Sequence, residues 1–123
     1  MKILFRSLIV VFILGVLHFS GMYGLYDIFP NLDIVNHIIG GLALALFVRA
    51  FLDRFIPKIN RKDSFTFFAT LILGIIWEIF EAYFGISGHV FWSRAYRLDT
   101  LKDLVDDMIG ATIALYWIYK IKK

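Results

Sequence analysis

"SLIVVFILGVLHFSGMYGLY", residues 7–26, is twenty residues without a formal charge, set between Arg6 and Asp27. At ~1.5 Å rise per residue, a helix of that length spans the roughly 30 Å hydrocarbon core of a bilayer. The stretch therefore reads as a transmembrane helix over about 4–25, and the rest of the chain repeats the pattern. Apolar runs follow at 32–52, "LDIVNHIIGGLALALFVRAFL", at 64–84, "SFTFFATLILGIIWEIFEAYF", and at 101–119. Pro30 and Asn31, Pro57 and Asn60, and Gly85, Ser87 and Gly88 punctuate the runs. The sequence thus predicts an all-α membrane protein, a single domain over 1–123 folded as a four-transmembrane-helix bundle. A cleaved signal peptide is the competing reading of the first run, with Lys2 and Arg6 as its basic end. However, "HFSGMYG" is a poor small-x-small cleavage site and the apolar run is long, so a retained span is expected.

Composition supports a bilayer and excludes several chemistries. The chain is 60% hydrophobic, with thirteen Phe, six Tyr and three Trp, and its mean hydropathy is +0.77. That is well above an ordinary soluble domain and suits aromatic residues at lipid interfaces. The absence of cysteine removes disulfides, thiolate catalysis and cysteine-bound zinc. The net charge of +3 does not form Lys/Arg clusters of the kind that bind nucleic acid, so no nucleic-acid partner is expected.

The basic residues set an orientation. Lys2 and Arg6, then Arg49, Arg54, Lys58, Arg61 and Lys62, then Lys120, Lys122 and Lys123 fall on one side of four spans. These are ten of the thirteen Lys and Arg; Arg94, Arg97 and Lys102 fall on the other side. The positive-inside rule places both termini in the cytoplasm. In that frame Asp53 and Asp63 are inner, while the other eight acids and all three histidines, His18, His37 and His89, are outer.

Those outer groups have helical spacing. Asp33 and His37 are four apart with Asn36 beside them, Glu78 and Glu81 are three apart, and Asp103 and Asp107 are four apart. Asp99, Asp103 and Asp106 also share a face. His37, Glu78 and Asp103–Asp107 lie within roughly 10 Å of the outer ends of their helices. Below each polar turn come small residues, Gly40, Gly41 and Ala45, Gly74, and Gly110 and Ala114, which let helices approach closely. Three helices are therefore expected to turn acids and a histidine into one outward-opening pocket.

Crowded carboxylates either take up protons, gather cations or find basic partners. Two readings follow. In one, His37, Glu78, Glu81, Asp103 and Asp107 hold a divalent metal, as converging Glu and His do inside helix bundles. In the other they form an ion-paired polar core, with Arg94, Arg97 and His37 as counter-charges. Single residues carry their own alternatives. Asp99 either supports the pocket or caps the last helix. Asp107 shares the Gly110/Ala114 stripe, and Asp106 either supports the pocket or faces the headgroups. Trp77 is a packing or interface aromatic at the pocket edge, and His18 a polar group at a helix end. Arg94 and Arg97 either anchor to headgroups or bind phosphate.

The motifs "DIVNHIIGG", "WEIFE" and "DTLKDLVDDMIGA" resemble those of the VanZ-like and YjdF-like small bacterial membrane proteins. The shared positions are Asp33, His37 and Gly41; Trp77, Glu78 and Glu81; and Asp99, Asp103, Asp107, Gly110 and Ala111. The likeness covers the second to fourth runs. Ile34 stands where VanZ-like chains carry Lys, and Asp107 where they carry Asn, which leans toward the YjdF-like branch. The resemblance implies a multi-pass protein of the bacterial inner membrane with a cell-envelope role. The expected function is metal-dependent hydrolysis or transfer on a lipid-linked headgroup, with Arg94 and Arg97 meeting phosphate. The alternatives are a non-catalytic ligand-binding or structural protein and a cation or proton carrier. The inner half, which reads as free of intramembrane charge, offers a carrier no onward path.

Overall fold

Long runs of Leu, Ile, Val and Phe, broken only at Pro, Gly and Asn, leave the backbone one local way to pair its own N–H and C=O groups, which is helix. The computed structural model describes residues 2–29, 31–86 and 88–122. It is 86% helical, with no strand among the described residues. Helix α1 covers Lys2–Ser20, continues through a π-helical turn at Gly21–Leu25, and ends in the short α2, Tyr26–Ile28. Helices α3, α4 and α5 cover Leu32–Phe55, Lys62–Phe84 and Arg94–Lys122. Pro30 and Ser87, expected as breakers, lie outside the described residues.

The described helix ends have local causes. Gly85, at φ 69°, closes α4 in the left-handed region. The N–H of Ile86 donates to the Glu81 carbonyl at 2.9 Å and that of Gly85 to the Ala82 carbonyl at 3.3 Å, pairing end carbonyls that would otherwise be orphaned. Helix α5 begins about two turns before the expected 101. Ser93 is its cap, its Oγ accepting the Tyr96 N–H at 3.1 Å. The polar sequence "RAYRLD" hides this start from apolar periodicity. Asp99 consequently sits in the second turn and caps nothing.

Helix α3 is the centre of the molecule, packing most extensively on α5 and then on α1 and α4. Ser7 of α1 donates to the Ala43 carbonyl at 3.4 Å, and Arg49 near the end of α3 pairs with Asp63 at the start of α4. Both neighbours therefore run antiparallel to α3. Lys102 of α5 reaches Asp33, Asp103 reaches His37 and Asp107 lies against Gly41, so α5 runs parallel to α3. The four long helices thus alternate in direction along the chain. At the α3–α5 crossing a Cβ on Gly41 would strike the Asp107 backbone carbonyl, and one on Gly110 would strike the backbone of Ile38 and Leu42. Ala45, Leu46, Ala111, Ala114 and Ile118 form the buried cluster beneath it.

Three of the helical stretches, Ile3–Ile28, Leu32–Phe55 and Lys62–Phe84, are long and apolar enough to cross a membrane. Helix α5 carries Asp106, Asp107 and Lys120 along its apolar part and stands apart from those three. The inner half is not free of charge, contrary to expectation. Arg49 is buried within α3, with Nε 3.4 Å from Asp53 Oδ2, and Lys62 Nζ lies 2.8 Å from Asp53 Oδ1. The run at 32–52 already contains Arg49, and α3 continues past it to Phe55 and buries its side chain.

The crossing gives a directional test. Gly41→Ala and Gly110→Ala should each destabilise the protein by about 1–3 kcal/mol, since the added methyl meets backbone that cannot swing aside. Gly15 of α1 has nothing within 4 Å of its Cβ position. Gly15→Ala should therefore leave stability unchanged or raise it by up to about 1 kcal/mol through helix propensity. Melting temperatures in detergent check the contrast, and a loss at Gly15 equal to that at Gly41 would refute it.

Candidate functional site

His37 is the hub of the outer half. It is buried on α3, one turn after Asp33. Its Nε2 lies 3.7 Å from Asp33 Oδ1 and 3.7 Å from Asp103 Oδ2, and its Nδ1 lies 3.5 Å from Asp107 Oδ1. The glycine crossing makes this possible, because α5 lies close enough to α3 for two of its aspartates to reach one imidazole. Helix α4 approaches through the stripe Thr66, Thr70, Gly74 and Glu78, all buried at a spacing of four. A Cβ on Gly74 would sit 2.7 Å from Asp107 Oδ2, so the space left by that glycine takes the carboxylate.

Glu78 is only 3% exposed. Thr100 of α5 donates to its Oε2 at 3.0 Å, while Oε1 has no hydrogen-bond partner. Two overlapping sets of donors result, Asp33–His37–Asp103 and His37–Glu78–Glu81, each with one ligand atom per residue within 4.8 Å of the others. The cluster thus unites His37, Glu78, Glu81, Asp33, Asp103 and Asp107 from three helices.

The counter-charge differs from the expected one. Arg94 and Arg97 are exposed on the first turns of α5 and line no part of the pocket. Lys102 instead places Nζ 2.8 Å from Asp103 Oδ1, 3.2 Å from Asp33 Oδ2 and 3.5 Å from Asp99 Oδ1. Asp99 also lies 3.5 Å from His89 Nε2. Asp106, expected to support the pocket or face the headgroups, is 8% exposed, and its Oδ2 lacks a partner. It falls on the same face as Asp103 and Gly110, the face pressed against α3, and the close crossing covers it.

A cavity of about 620 Å³ opens beside the cluster between α1, α3 and α4. Trp77 lines it, stacked on Phe80 with ring centroids 5.4 Å apart. A polar chain forms its far wall. Asn36 Nδ2 donates to Tyr26 Oη at 2.7 Å, and that hydroxyl lies 3.3 Å from His18 Nδ1. His18 is therefore a pocket residue, not merely a helix end. The π-helical turn supplies the geometry, since a Cβ on Gly21 would collide with the Tyr26 ring and Gly24 sits at φ 106°. The sequence signal was the pair of glycines in "GMYG" inside an otherwise unbroken apolar run, where the backbone leaves helical geometry at Tyr23 and Gly24.

The pairing of Lys102 can be measured. Lys102→Met should lower stability by about 1 kcal/mol, a small value because the side chain is 42% exposed. Combined with Asp103→Asn, the loss should be smaller than the sum of the two single losses, because the partner carboxylate is gone. Strict additivity in denaturant or thermal unfolding would show that the pair does not interact.

No curated protein and no solved structure matches this chain. A family described as "Predicted membrane protein (DUF2238)" matches residues 1–123, the whole of the sequence above. The apolar helices and the up-down bundle agree with that description, and the chain belongs to the DUF2238 family of predicted membrane proteins.

Proposed function

We propose that the protein is a multi-pass protein of the bacterial inner membrane whose outer pocket binds a divalent cation and uses it on a lipid-linked headgroup. All four long helices cross, and both ends are cytoplasmic. Two features support this placement. Ten of thirteen Lys and Arg fall on one side, and α5 turns Leu101, Val105, Ile109 and Ile113 outward as an exposed apolar stripe. The short motifs shared with VanZ-like and YjdF-like proteins support an envelope role.

The observation that carries the cation reading is Glu78 Oε1, a deeply buried carboxylate oxygen without a hydrogen-bond partner, grouped with His37 and Glu81. Burying such an atom unpartnered is expensive, and a cation removes the expense. The spacing agrees. Two ligands each about 2.1 Å from a tetrahedral metal lie roughly 3.4 Å apart, near the 3.7 Å from His37 to Asp33 and to Asp103. A bound cation would polarise a phosphoryl oxygen or activate water at the pocket wall. Arg94 and Arg97, exposed on the first turns of α5 and outside the pocket lining, would meet phosphate only from the headgroup side.

A second reading, a non-catalytic ion-paired core, draws support from Lys102, which already balances Asp33 and Asp103. Elemental analysis and melting curves separate the two. On the cation reading a divalent ion raises Tm by stabilising the folded state. Glu78→Gln shrinks that rise and, without metal, stabilises the protein by relieving repulsion. No cation-dependent rise in wild type, together with destabilisation by Glu78→Gln, would select the ion-paired core. For topology, a C-terminal reporter should be active only when it works in the cytoplasm; activity only outside would overturn the orientation.

A further inference from the structure

The cavity has two chemically different ends, and its three walls change from polar to apolar in the same direction. On α1 the lining passes from His18 to Leu14 and Val11; on α3, from Asn36 to Ala43 and Leu44; on α4, from Glu81 through Trp77 to Leu73. Each change takes seven or eight residues, which is roughly 10–12 Å along a helix. Helices α1 and α4 lean on α3 from two sides and do not pack on each other along their length. The groove between them therefore opens sideways, toward the layer that the apolar helices fit. Its volume of about 620 Å³ is that of a small-ligand site.

The polar end leaves one buried acceptor over. Asn36 is 6% exposed and lines the cavity; its Oδ1 has no partner, because only its Nδ2 is engaged by Tyr26. Asp33 and Glu81 line the same end, and both are acceptors when ionised. We infer that the groove takes the single hydrocarbon chain of an amphiphile drawn sideways from the bilayer, with an ammonium head held at Asn36 Oδ1 and the acids. The inference deepens the proposed function by naming a ligand class, and it rests on that reading only for placing the pocket at the outer face.

The test uses full-length protein in phosphatidylcholine nanodiscs, with Phe replacing Trp92 and Trp117 so that Trp77 is the sole indole. The probe is a long-chain primary amine brominated near the carbons about 6 Å from the nitrogen, the depth of Trp77 below Glu81 at ~1.5 Å per residue. Quenching of Trp77 should saturate and be reversed by the unbrominated amine. Gly15→Phe should abolish the saturable part. Gly15 lines the groove with open space at its Cβ, so the ring fills the groove without disturbing the backbone. Asn36→Leu should weaken binding at least tenfold. In EDTA, a carboxylate with the same tail should bind at least tenfold more weakly than the amine. Quenching that rises without saturation and is unchanged by Gly15→Phe is membrane partitioning, and it overturns the groove. Equal binding of amine and carboxylate in EDTA overturns the head assignment. Saturable quenching that persists in EDTA upholds the groove even where the cation reading fails. A cation-dependent rise in Tm without saturable quenching leaves the cation reading standing and removes the groove.

Discussion

Everything at the outer end depends on how closely α3 and α5 cross. Gly41 lies against the Asp107 backbone and Gly110 against Ile38 and Leu42, contacts with no room for a methyl group. In a bilayer, lipid tails are as apolar as leucine, so burial alone does not press helices together; close van der Waals contact does. The crossing brings Asp103 and Asp107 to the two nitrogens of His37 and covers Asp106. A bulkier residue at Gly110 would move carboxylates three and four positions away in sequence, and one at Gly41 would push on the Asp107 backbone itself.

The two ends of the bundle handle charge differently. At the inner end Arg49, Lys62, Asp53 and Asp63 pair across the α3–α4 turn, two cations against two anions. That network is balanced, and it ties consecutive helices together. At the outer end five acids, Asp33, Glu78, Glu81, Asp103 and Asp107, meet Lys102 and His37. Lys102 is confined to the rim, and Glu78 lies deeper with one oxygen unpartnered. A membrane protein that keeps such groups in a low-dielectric setting generally uses them. The contrast is one of charge balance: the paired cluster ties α3 to α4, and the other leaves a buried carboxylate oxygen without a partner.

The sequence carried the helices well, because apolar length and Pro/Gly breaks are strong signals. It also carried the matched depth of His37, Glu78 and Asp103, since helix rise converts position into height. It was weaker wherever the answer depended on rotation or on a neighbouring helix. Lys102 counts in sequence as one more basic residue near Arg94 and Arg97; only the parallel packing of α5 on α3 shows that it reaches Asp33, sixty-nine positions away. Arg49 counts with the basic residues that follow it because charge clusters look alike whether a helix continues through them or not. Asp106 and Asp107 are adjacent and equivalent to a periodicity argument, and the tight crossing buries both. Tyr26 and His18 join the pocket through a π-helical turn that no 3.6-residue pattern describes.

That turn also explains why the cavity exists. Helix α1 follows α3 as far as Ser20, and a straight continuation would carry Tyr26 past the bundle. Non-helical backbone at Tyr23 and at Gly24, with φ 106°, kinks the chain so that the Tyr26 ring folds over Gly21 and its hydroxyl meets Asn36. The pocket thus gains its far wall from a break in helical geometry, while its acidic wall is set by the close α3–α5 crossing. Two different backbone constraints, one a kink and one a contact too close for a methyl group, hold the hydroxyl and imidazole on one side and the acids on the other.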